Sequence, residues 1–147
     1  MTREDKELLL KDLCVRLPYK VKCCIYNFGK DTVRIKEDVL WSVQGDNILT
    51  LKSCVEKGEA YMYHQIKPYL FPLSSMTREQ LFDVQEILGK NEIEIKDGFL
   101  HIVDSDRNTI SYLEILALLE WFYKNHFDIN NLIPAGLAID ATNLNIY

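Results

Sequence analysis

The sequence predicts an α+β fold in which an antiparallel sheet, built from an N-terminal meander and a later hairpin, packs with about three helices. Three observations lead there. Apolar residues recur at helical spacing in three stretches, each preceded by a capping residue. They alternate at strand spacing near residues 21–51 and again near 93–103. The strand–helix–strand alternation of a parallel sheet is absent.

The elements follow in order. Thr2 caps a first helix, and Glu4 and Asp5 suit its positive N-terminal end. Leu9, Leu10, Leu13 and Leu17 give its apolar stripe, and Leu17-Pro18 stops it. Val21, Cys23 and Ile25 then alternate with Lys22, Cys24 and Tyr26, and Val33 and Ile35 with Arg34 and Lys36. With Gly29-Lys30-Asp31 as a turn, residues 20–36 read as a β-hairpin. Leu40 to Val43 extends it, Gly45-Asp46-Asn47 turns, and Ile48 to Leu51 continues the meander. Pro68 and Pro72 rule out one uninterrupted helix across the aromatic segment 61–73.

Thr77 and Gln80 form a capping box for a second helix, with Leu81, Val84 and Leu88 as its stripe and Gly89 at its end. Ile93 and Ile95 pair through the Asp97-Gly98 turn with the strand from Phe99 to Val103. Ser111 and Glu114 box a third helix. From Tyr112 to Tyr123 only Glu114 and Glu120 are not apolar, so this last helix is expected to be central and buried. The tail from Leu132 to Ile139 is apolar enough to pack back onto the core.

No repeat, low-complexity tract or linker divides the 147 residues, so 1–147 is expected to form a single globular domain. A chain of this length buries roughly 70% of its unfolded surface and needs neither disulfides nor metal. Apolar residues are 48% and charged residues 27%, which argues against disorder. The N-terminus lacks an apolar signal core and no run of 18 apolar residues occurs, so a cytoplasmic, non-membrane protein with reduced cysteines is expected. The net charge of −5 disfavours nucleic acid as a partner. The charge is uneven, however: residues 1–36 hold nine Lys/Arg against five Asp/Glu, and the rest eight against seventeen.

Candidate chemistry is sparse. Cys23 and Cys24 are strand neighbours whose thiols diverge, and Cys14 and Cys54 stand apart, so no zinc spacing exists. Asp104-Ser105-Asp106-Arg107-Asn108 resembles the opening of a calcium loop, but Thr109 and Ile115 stand where glycine and glutamate are needed. His64, His101 and His126 are isolated. No cofactor and no metal are expected. The basic meander, with Arg16, Lys20, Lys22, Lys30, Arg34 and Lys36 near Tyr19, Tyr26 and Phe28, is the one candidate nucleic-acid surface.

Three stretches carry a resemblance. They are Leu8 to Cys14 with Arg16-Leu17-Pro18-Tyr19, Ile66 to Leu70 through Ser74-Ser75-Met76-Thr77, and Asn125 to Asp128 with Leu132-Ile133 and Gly136-Leu137-Ala138. On these the chain resembles a family of small proteins from gut-dwelling anaerobic bacteria, their phages and mobile elements. That family has no assigned activity. The resemblance implies a phage or mobile-element accessory role and transfers no catalytic residue.

A non-catalytic binding or accessory protein with a protein partner is therefore the leading expectation. A small enzyme using a Cys/His or carboxylate site is the alternative, and weak nucleic-acid binding through the meander is the second. The expected binding residues are Tyr61, Tyr63, Lys67 and Tyr69. Tyrosines combine apolar area with a polar tip, the flanking prolines limit the entropy lost on binding, and Lys67 supplies a charge at the rim. The competing role of the same residues is to cover one end of the sheet.

Overall fold

Helix α1 (Arg3–Arg16) begins as its cap dictates. The Asp5 N–H donates to Thr2 Oγ1 at 3.1 Å, and the Thr2 N–H donates back to Asp5 Oδ2 at 2.7 Å. Pro18 then turns the chain through a short 3₁₀ segment, Leu17–Tyr19, rather than breaking it outright. A computed structural model describes residues 1–28, 33–44, 48–51, 60–89, 92–96, 99–103 and 110–147.

These residues form two compact units, one of Met1–Leu70 with Asn130–Tyr147 and one of Phe71–Ile129. The first unit holds α1 and strands β1 (Lys22–Phe28), β2 (Val33–Gln44), β3 (Ile48–Leu51), β4 (Tyr61–Met62), β5 (Ile66–Leu70) and β8 (Ile139–Asp140). Their order in the sheet is β4-β3-β2-β1-β5-β8. The sheet is antiparallel from β4 to β5, as the meander pattern requires, and β8 adds a short parallel edge against Tyr69 and Leu70. The turns at 29–31 and 45–47 lie outside the described residues.

Strand β5 carries Pro68 in its middle, in a strand flanked on both sides. The Leu70 carbonyl accepts from the Ala141 N–H at 2.8 Å, so alternate residues of β5 turn their backbone toward β8. Pro68 shares that direction and lies beyond the rungs that β8 makes. Its missing N–H therefore removes no bond to β1. The core of this unit joins Leu9 and Leu13 of α1 to Cys23, Ile25, Leu49 and Ile66 of the sheet, and the tail contributes Leu132 and Leu137. The expectation that the tail packs back is met inside this unit.

The second unit holds α2 (Arg78–Leu88), the hairpin β6 (Glu92–Lys96) and β7 (Phe99–Val103), and α3 (Tyr112–Lys124). Both helices open on the expected capping boxes. Gly89 ends α2 at φ +61°, a conformation that favours glycine. Its core is Leu73, Val84, Leu88, Leu118, Phe122 and Phe127. The chain segments flanking the unit are tied together within it: the Phe71 N–H donates to the His126 carbonyl at 3.0 Å and the Asp128 N–H to the Phe71 carbonyl at 2.8 Å.

Two expectations are corrected: the later hairpin, β6 with β7, pairs only with itself and is not part of the meander's sheet, and the last helix is not enclosed. Helix α3 is not buried all round: Leu118 and Phe122 are buried, whereas Tyr112, Leu113, Ile115, Leu116 and Leu119 are exposed. Its unit packs against one side of the helix and leaves the other open.

Candidate protein-interaction surface

The inner side of α3 is an aromatic stack. Trp121 lies parallel to Phe127 at 5.7 Å between centroids and 10° between planes. Phe122 meets Trp121 edge-on at 5.4 Å and Phe127 at 6.1 Å. Such pairs add about 0.5–1.5 kcal/mol each beyond area burial. The helix is thereby fixed in rotation, and the fixed rotation decides what it shows to solvent.

It shows large apolar side chains. Tyr112 is 73% exposed, Leu113 75%, Ile115 41%, Leu116 43% and Leu119 38%. Tyr112, Leu116 and Leu119 follow the i, i+4, i+7 spacing of one helical face. Charge is nearly absent from that face. Glu114 is engaged in the cap: its Oε2 accepts from the Ser111 N–H at 2.6 Å, and this hydrogen bond holds its carboxyl below the ordinary 4.5. Glu120 and Lys124 are the remaining charges of the helix. Exposed apolar side chains gathered on one helix of a folded unit suit an interaction site.

The four residues expected to bind lie in the other unit and do not share a surface. Tyr61 pairs with Leu49 across β4 and β3 and packs half-buried on the core. Tyr63 does the same from a 3₁₀ turn, with the Lys6 ammonium 5.2 Å from its ring centroid and His64 edge-on at 5.5 Å. Lys67 and Tyr69 alternate out to the opposite face of β5. The Lys67 ammonium lies 6.0 Å from the Tyr26 ring. Tyr69 is buried. It is 5% exposed, its hydroxyl donates to Glu37 Oε1 at 2.9 Å, and its carbonyl accepts from the Tyr147 hydroxyl at 2.9 Å. Burial, with the Glu37 hydrogen bond, pushes its phenol well above the ordinary 10.

The basic meander loses a member for a similar reason. Arg16 is fully buried, with Nε 2.6 Å from Asp12 Oδ2 and Nη2 3.1 Å from Asp12 Oδ1. The amide of Asn130 also donates to Asp12 Oδ1 at 2.8 Å. The Lys22 ammonium turns to the Ile146 carbonyl and the Tyr147 ring. Lys30 and the side chains of Arg34 and Lys36 lie outside the described residues.

Cys23 and Cys24 are both buried, on opposite faces of β1. Burial pushes the Cys23 thiol far up, which removes it as a nucleophile. Cys54 and the Asp104–Asn108 segment lie outside the described residues. Among the described residues no cluster of three or more His, Cys, Asp or Glu forms. A cleft of about 440 Å³ in the first unit is lined by Leu17, Pro18, Lys20, Val39, Leu40 and Trp41, with no acid–base pair. No helix of the described residues is long and apolar enough to cross a membrane.

Sequence reasoning missed the outer face of α3, although the signal was present. A helix apolar nearly all round has two faces, and only one needs its own unit's core. Against protein-family models, curated proteins and solved structures, the chain matches none.

Proposed function

We propose that this protein is a non-catalytic binding protein that engages a protein partner through the outer face of α3. The observation that carries the reading is the exposure of five large apolar side chains along one short helix. Leaving them in water forgoes roughly 1 kcal/mol or more per side chain, which a partner would recover. An accessory protein of a phage or mobile element, the setting implied by the sequence resemblance, would act by such binding. The unbonded thiols of Cys14, Cys23 and Cys24 suit the reducing cytoplasm.

The test is affinity capture from host cells with the wild type and with Leu113→Glu/Leu116→Glu. The expected result is a protein held by the wild type and lost by the variant, while the circular dichroism of the two coincides. Equal capture by both, or capture of nothing by the wild type, overturns the reading.

A further inference from the structure

We infer that the partner of the α3 face is a second copy of this chain, joined by an antiparallel, twofold-symmetric pairing of α3 with α3. The inference rests on the reading of α3 as a docking face and names its occupant.

The order of residues along the seam suits a self-complementary face. Tyr112, Leu116, Leu119 and Tyr123 lie on one side of the helix with spacings of four, three and four. Tyr112, Leu116 and Leu119 are exposed and Tyr123 is half-buried. The sequence of side chains along this seam, Tyr-Leu-Leu-Tyr, reads the same in both directions, and so does its spacing. A twofold axis perpendicular to the helix and passing midway between Leu116 and Leu119 reverses the helix and maps the seam onto itself. Leu116 then meets Leu119 of the second copy in two central layers, and Tyr112 meets Tyr123 of the second copy in two outer ones. This is the side-by-side layering of an antiparallel helix pair, with spacings of three and four alternating as the seam of a coiled coil requires. An interface between identical copies must be complementary to itself, and this face is. An unrelated partner would impose no such symmetry on the order of residues.

The exposed area also suits a pair of copies. At the observed exposures, five side chains of this size offer about 100 Å² each. Complete burial of these side chains on two copies would remove about 1,000 Å², the lower bound for a specific interface. Glu120 flanks the seam beside Leu113 of the second copy, at the rim, where a charge remains hydrated. Antiparallel pairing also opposes the two helix dipoles. An interface of this size and composition fits a reversible dimer with a dissociation constant in the micromolar range, on the order of 1–100 µM.

Sedimentation equilibrium of the full chain across that concentration range tests the inference. The mass is expected to rise with concentration toward twice the 17.2 kDa of one chain. Leu116→Glu places a carboxylate in each central layer and is expected to weaken pairing by ~100-fold or more. Tyr112→Glu, at the most exposed end of the seam, is a second variant that leaves the inner side of α3 untouched. Trp41→Glu, at a residue 56% exposed in the other unit, is expected to leave the dimer intact. A wild type that stays at single-chain mass throughout overturns the inference, and the docking reading then stands or falls on the capture experiment. A dimer that survives both α3 variants, or that dissolves in Trp41→Glu, also overturns it.

Discussion

Asp12 and Arg16 show how one residue's role depends on distant chain. Their spacing marks an i, i+4 pair that is usually a solvated surface bridge. Here both are buried, because Asn130 returns from 118 residues away to complete the carboxylate's hydrogen bonds. Arg16→Ala is expected to cost about 3–5 kcal/mol by urea denaturation, since Asp12 is left as a buried charge. The double replacement Asp12→Leu/Arg16→Met is expected to cost less than that single change. A single change costing under about 1 kcal/mol would mean that the pair is hydrated. Tyr69 is the parallel case: Tyr69→Ala is expected to cost about 3–5 kcal/mol and Tyr69→Phe only about 1 kcal/mol. Its burial was one of two roles open in the sequence, and no local signal decided between them. Pro68 hid the strand pattern, and the alternation that separates Lys67 and Tyr69 from Ile66 and Leu70 follows only once β5 is known to be a strand.

At the scale of elements, what was local was legible. The Thr2 cap, the two expected capping boxes at Thr77 and Ser111, and the Gly89 stop rest on contacts within four residues, and each forms. Hydrogen bonds in the Thr2 and Ser111 boxes hold the Asp5 and Glu114 carboxyls below their ordinary 3.8 and 4.5. A lowered folded value means that the boxes stabilise fully above those ordinary values and fade as pH falls through the lower folded ones. The helices should therefore fray first at their N-termini in acid, seen as lower protection of the Asp5 and Glu114 amides, relative to their intrinsic exchange rates, below about pH 4. Pairings such as β5 with β8 are set by long-range register and carry no local signal. Helix α3 lies between these cases, since its two apolar faces are visible in the sequence but not which of them is covered. Leu118→Ala and Phe122→Ala are expected to cost about 2–5 kcal/mol, and Leu116→Ala under about 1 kcal/mol in dilute solution. Equal costs at Leu116 and Leu118 would mean that the helix is enclosed.

At the scale of the whole molecule, the chain leaves its first unit after Leu70 and returns to it at Asn130, and each unit carries its own apolar core. Composition and length bounded the class but gave no sign of this return, because Leu132, Leu137 and Ala138 join a core begun by Leu9 and Leu13 only in three dimensions. Among the described residues nothing clusters to hold a metal, so chelator treatment is expected to leave the melting midpoint unchanged, and a fall of several degrees would contradict that. The central claim is that α3 is folded by one face and binds by the other. Thermal melting of the wild type and of Leu113→Glu/Leu116→Glu over a range of protein concentrations tests it most directly. The wild-type midpoint should rise with concentration, because pairing stabilises only the folded chain. The variant's midpoint should be independent of concentration and equal to that of the dilute wild type. A wild-type midpoint that ignores concentration would contradict the pairing of α3 with α3, and a variant several kcal/mol less stable at dilution would contradict the placement of Leu113 and Leu116 on the open face.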